Sequence, residues 1–199
     1  MPTIFEQKNA DFSERAHKAA QTKIYPHIFD KFPVLRFEST TMGMGEYEGV
    51  LDGRMGIDRV LYAGGFNSGL KMLPITIQER FRDTKYISYK DITITEWNHE
   101  TDQPSELYKL HANIFVYGYY DPKANDFDDW IVINAPNLLM AIAQNNVRFT
   151  RRGNEKRQSF IAITFDELAR HRGVVIERCD PSTRAFQSLV DSHYAMEAA

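Results

Sequence analysis

Two short segments, Gly56 to Tyr62 and Pro74 to Arg82, constrain the fold of this chain more than any other part of it. The second alternates Ile75 and Ile77 with Thr76, Gln78 and Arg80, the period-two pattern of a half-buried strand. The first is short and apolar and carries one acid, Asp58, at its entrance. Between them lies Ala63 to Gly69, a turn-rich connector, so the pair is expected to form an antiparallel hairpin. Such pairing draws Asp58, Gln78 and Arg80 toward one pocket. Glu79 shares the parity of Ile75 and Ile77 and is expected to face away unless a bulge rotates it.

The rest of the chain supplies layers for this hairpin. Apolar or small residues recur through Phe12, Ala16, Ala19, Ala20 and Ile24 at helical spacing after the N-cap candidates near Asp11, and Pro26 interrupts that helix. Pro33 to Ser39 alternates as a strand. Ser88 to Trp97, with Ile92 and Ile94 on one face, is expected to extend the hairpin into a meander. Ile114 to Tyr120 and Trp130 to Ile133 are further strands, Pro136 begins a helix, and Gly173 to Glu177 is a last short strand before a helix from Asp180. The 199 residues, 43% apolar, suit a single α/β domain over residues 1–199, with a central mixed β-sheet flanked by helices.

Composition removes several functions. The lone cysteine, Cys179, excludes an internal disulfide and a Cys-rich zinc site, which fits a reducing, cytoplasmic setting. The six histidines form no His-x-x-x-His pair. No glycine pattern of a nucleotide-binding loop and no Gly-x-Ser-x-Gly elbow is present. No run approaches the ~18 apolar residues of a membrane span, so no membrane partner is expected. A net charge of −3 creates no global field for nucleic acid, so any such binding needs a local patch. Arg148, Arg151, Arg152, Lys156 and Arg157, opposed only by Glu155, are the densest positive cluster and could track a phosphate backbone, with Tyr117, Tyr119 and Tyr120 as stacking groups; a solvated loop is the plainer alternative. Oligomeric state is not legible, and a homodimer is compatible with the sequence.

A helix carrying Glu14, a strand entered by Asp58, a turn, and a strand ending Gln78-Glu79-Arg80 resemble the PD-(D/E)XK (restriction-endonuclease-like) nuclease superfamily, of the phage or mobile-element type. That superfamily carries an acid in one strand and acid-x-Lys in the next. The resemblance implies a metal-dependent nuclease hydrolysing DNA with Mg²⁺ or Mn²⁺, hard ions that take carboxylate oxygens. Asp58 would be the first ligand, with Gln78 and the helix acid Glu14 beside it, Arg80 holding phosphate, and Glu79 in reserve. Gln78 stands where the second acid is usual and Arg80 where lysine is usual. These departures leave open a nuclease-like fold that has lost hydrolysis and serves as a nucleic-acid-binding or protein-interaction module. Without the resemblance, Asp58 is a turn acid paired with Arg54 or Arg59, and Gln78 and Arg80 are a solvated strand face. Likewise Glu106 and Lys109 would be a local surface ion pair, and Asp91 a turn acid.

Overall fold

The computed structural model describes residues 4–29, 34–39, 50–51, 54–63, 73–154 and 157–179. The glycine-rich stretch after Ser39, most of the hairpin connector, Lys156 and the helix expected from Asp180 lie outside the described residues.

The expected hairpin forms. β2 (Arg59–Ala63) runs antiparallel to β3 (Leu73–Asp83), with Arg59 opposite Ile77 and Leu61 opposite Ile75. Asp58 sits just ahead of β2, and its amide still donates to the Ile77 carbonyl at 2.9 Å. Gly56 makes this approach: its φ is +55°, and a Cβ there would stand 2.9 Å from the Lys109 carbonyl oxygen, so only glycine takes the turn at that distance.

β1 (Val34–Ser39) pairs antiparallel with β2 on the outer side, and β6 (Ile114–Asp121) runs parallel to β3 on the other. β7 (Asp126–Asn134) and β10 (Val175–Arg178) complete a six-stranded mixed sheet in the order β1-β2-β3-β6-β7-β10. The expected meander does not continue. β4 (Asp91–Asn98) leaves for a second, antiparallel sheet of β5 (Gln103–Pro104), β4, β9 (Gln158–Thr164) and β8 (Thr150–Asn154). The expectation of one central sheet flanked by helices is therefore corrected: one face of the mixed sheet is covered by helix, the other largely by a second sheet.

The pleat of β6 explains how two layers are held. Ile114 and Val116 project into a core shared with the helices, while Phe115, Tyr117 and Tyr119 project into a core shared with Ile92, Ile94, Ile161 and Ile163 of the second sheet. A register shift between Tyr119 and Tyr120 returns Tyr120 to the helix side. Both faces of β6 are thus sealed, which is what a continuous apolar run with little alternation requires. At Gly118 a Cβ would lie 2.8 Å from the Phe127 ring, so this position admits no side chain.

On the helix side, α1 (Ile4–Lys23) begins earlier than its N-cap candidates suggest and lays Ala16, Ala19 and Ala20 on the sheet, with α2 (Tyr25–Phe29) adding Tyr25 and Phe29. Pro26 falls in the first turn of α2, where its missing N–H is harmless. α3 (Glu106–Lys109) lies beside β4. α4 (Ala135–Ala143) is N-capped by the Asn134 side chain and α5 (Phe165–Ala169) by that of Thr164. A 3-10 helix, Thr84–Tyr89, joins β3 to β4. Among the described residues no helix is long and apolar enough to cross a membrane.

Candidate functional site

Glu79 is the centre of the polar chemistry on the helix side. It follows the apolar parity of Ile75 and Ile77, so the pleat turns it toward α1, and only 4% of it remains exposed. A bare carboxylate there would be costly, and the fold answers with three donors. Arg59 Nε donates to Oε2 at 2.8 Å, His17 Nδ1 stands 2.5 Å from the same oxygen, and the Tyr25 hydroxyl donates to Oε1. Burial works against the charge, but His17, Arg59 and Tyr25 together outweigh it and hold the carboxyl below its usual range. Burial, and then the carboxylate itself, push the Tyr25 phenol well above its ordinary value, so it remains a donor.

Asp58 borders the same cluster. Its Oδ2 accepts the Glu79 backbone N–H at 2.6 Å, which ties the entrance of β2 to β3. Ala10, Ser13, Glu14, His17 and Lys18 recur at the spacing of one helix face and, with Asp58, Arg59 and Glu79, line a cleft of about 540 Å³. Glu14 is exposed on the rim and accepts from Lys18 at 2.6 Å across one helical turn.

The expected meeting of Asp58, Gln78 and Arg80 does not occur, because alternate residues of β3 point to opposite faces. Gln78 and Arg80 look toward the second sheet. The Gln78 amide oxygen is buried near Gly56 without a hydrogen-bond partner among the described residues. Arg80 pairs with Glu106 and lies 3.4 Å from the Thr95 hydroxyl. Glu106 thus serves Arg80 and, at 3.2 Å, the Thr95 amide, rather than Lys109. Asp91, expected as a turn acid, is buried and accepts from Arg82 at 3.1 Å. The residue held in reserve, Glu79, is the one that shares the cleft with Asp58 and Glu14.

Whether these groups suit Mg²⁺ or Mn²⁺ turns on free oxygen lone pairs. Both Glu79 oxygens already accept from His17, Arg59 or Tyr25, and Gln78 is on the far face. Among the described residues no three His, Cys, Asp or Glu side chains gather in a way that holds a metal ion. The donor set of Asp58, Gln78 and Glu14 is therefore not assembled in this arrangement.

The basic cluster is also redistributed. Part of the basic stretch, for which a solvated loop was the alternative to a phosphate-tracking patch, is the strand β8, and its pleat sends Arg151 and Arg152 to opposite sides. Arg151 makes a forked pair with Glu96, with contacts of 3.1–3.2 Å. Arg157 stands 3.9 Å from Glu100. Arg148 is exposed, its backbone N–H bonded to Glu167, and Arg152 leans toward the Tyr89 ring at 5.8 Å. Tyr117, Tyr119 and Tyr120 are fully buried and cannot stack on a base. Among the described residues three tyrosine rings are exposed: Tyr108 on α3, at 57%, and Tyr86 and Tyr89 on the 3-10 helix, at 38% and 51%, of which the latter pair has cations beside it. Arg82 lies 4.6 Å from the Tyr86 centroid and 5.8 Å from that of Tyr89, and Lys85 lies 5.0 Å from Tyr86. Sequence reasoning passed over these two, although residues three apart in a 3-10 helix eclipse one another and share a side.

No protein-family model, curated protein or solved structure matches the chain.

Proposed function

We propose that the protein is a nucleic-acid-binding module on a nuclease-like α/β scaffold, one that contacts the phosphate backbone of DNA through the surface around the 3-10 helix. The supporting observation is the convergence of Arg82 from β3, Lys85 from the 3-10 helix and Arg152 from β8 on the same two tyrosine rings, within 4.6–5.8 Å. Three separate elements bring cations to one exposed place, where phosphates can displace their counterions. Asp91 and Asp83 temper Arg82 and Lys85, so binding is expected to be salt-sensitive and moderate.

A second reading, metal-dependent hydrolysis of DNA by a restriction-endonuclease-like fold of the phage or mobile-element type, is favoured by a different observation. Glu14 of α1, Asp58 just ahead of β2 and Glu79 of β3 line one cleft with Lys18 and Arg59. In that reading Glu79, Asp58 and Glu14 would be the oxygen donors to Mg²⁺ or Mn²⁺, and Glu79 would do so only by giving up donors among His17, Arg59 and Tyr25. Incubation with linear, circular and single-stranded DNA, under Mg²⁺, Mn²⁺ or chelator, separates the two. The binding module retains salt-sensitive association in chelator and leaves the DNA intact under both metals. Metal-dependent cleavage that Asp58→Asn abolishes would replace it with the nuclease.

A further inference from the structure

Tyr86 and Tyr89 do not stand on an isolated knob. A groove of about 730 Å³ runs from Tyr86, Lys85 and Arg82 along the N-terminal half of α1, past Lys8, Asn9 and Phe12, to Ser13, His17 and, sealed beneath His17, Glu79. Those last three residues also line the Asp58 cleft, so the groove and the cleft meet. One path therefore begins at a pair of open rings flanked by cations and ends beside Asp58 and Lys18.

Taking the nucleic-acid reading as its premise, we propose that the ligand is single-stranded, with unpaired bases stacking on Tyr86 and Tyr89 and the strand following the groove beside α1 toward the Asp58 cleft. The rings argue for this. A base inside a duplex offers no free face, whereas any unpaired base stacks on an exposed aromatic ring irrespective of sequence. Tyr86 and Tyr89 are i and i+3 in a 3-10 helix, so their rings project from the same side and can hold neighbouring bases. Cations flank these rings, with Lys85 and Arg82 near Tyr86 and Arg82 and Arg152 near Tyr89, and Lys8 lines the groove that leads from Tyr86. Rings for bases and neighbouring cations for phosphates are the two components that single-strand binding combines. Phe12 supplies a further apolar wall.

The test measures affinity of the intact chain for a fluorescent single-stranded DNA, the same sequence as single-stranded RNA, and its blunt DNA duplex, in chelator. Wild type is expected to bind at least one single strand more tightly than the duplex, and the DNA and RNA arms report which sugar it accepts. Tyr86→Leu/Tyr89→Leu should lose roughly 10-fold or more on the single strand and little on the duplex, at an unchanged unfolding midpoint. Tyr86→Phe/Tyr89→Phe, which keeps the rings, should retain wild-type affinity. Ultraviolet cross-linking followed by peptide mapping should place the strand on the Tyr86–Tyr89 peptide and on the first half of α1. Equal binding of duplex and single strand, or a tyrosine-to-leucine variant that binds as wild type, overturns the single-strand path while leaving the binding reading in place. Absence of binding to all three probes overturns both.

Discussion

β3 carries charge on both faces and again at its end, and the three places treat it differently. On the helix face Glu79 is sealed among His17, Arg59 and Tyr25. On the opposite face Arg80 and Arg82 are paired with Glu106 and Asp91 in partly buried contacts. Past the end of the strand Lys85, with Tyr86 and Tyr89 of the 3-10 helix and Arg152 of β8, stands at the surface. A charge sealed on every side, as at Glu79, positions strands, whereas Lys85, Arg152 and the partly exposed Arg82, though paired with Asp91, remain within reach of a ligand. The candidate site therefore divides into a structural half around Glu79 and a recognition half around Tyr86 and Tyr89.

The largest effect should come from emptying the structural half. Glu79→Ala leaves Arg59 and Tyr25 without their acceptor and should lower stability by about 3–5 kcal/mol, read as a fall in the denaturant midpoint. Affinity for nucleic acid, measured where the variant is still folded, should stay near wild type. A stable Glu79→Ala would break the contrast from this side.

Acid should expose the same cluster. The folded Glu79 carboxyl lies below its ordinary value, so its stabilising contribution is complete above the unfolded-chain value of about 4.3 and is lost as pH falls through the folded one. Wild-type stability should drop with acid in that window, and Glu79→Gln, which cannot titrate there, should show a shallower drop. Denaturation profiles at stepped pH check this. Parallel profiles for the two proteins would mean that another carboxyl carries the acid sensitivity.

The opposite face should respond more mildly. Arg80 is about one-third exposed in its pair with Glu106 and borders the groove beside α1, so Arg80→Ala is expected to lose about 0.5–1 kcal/mol of stability and to weaken DNA binding less than removal of the Tyr86 and Tyr89 rings. A large loss of affinity in this variant would return the recognition half to the face expected from the sequence.

Much of this arrangement was legible in the residues. The hairpin, its pairing and the parity of Ile75, Ile77 and Glu79 follow from alternation. A lone acid continuing an apolar parity, as Glu79 does, is itself a signal for a buried ion pair, whereas the polar alternation of Gln78 and Arg80 resembles an open site without being one. The partners of Glu79 were out of reach, since His17 and Tyr25 meet it only when α1 and α2 dock on the sheet. The second sheet was hidden for the same reason: Ile92 finds Ile163 across a long separation in sequence, and no local pattern encodes that pairing. Tyr117 and Tyr119 sit in a strand with no polar alternation, which signals burial on both faces and argues against stacking. Charge density along the basic stretch does not encode the pleat that separates Arg151 from Arg152.

The most direct measurement is the salt dependence of affinity for a single-stranded oligonucleotide in chelator, compared among wild type, Lys85→Ala/Arg152→Ala and Glu79→Gln under conditions where all three are folded. Removing one cation that neutralises a phosphate should flatten the slope of log affinity against log salt by about 0.7, so the double variant should flatten by about 1.4. Glu79→Gln should keep the wild-type slope. A flattened slope in Glu79→Gln with none in Lys85→Ala/Arg152→Ala would contradict the division between a structural and a recognition half.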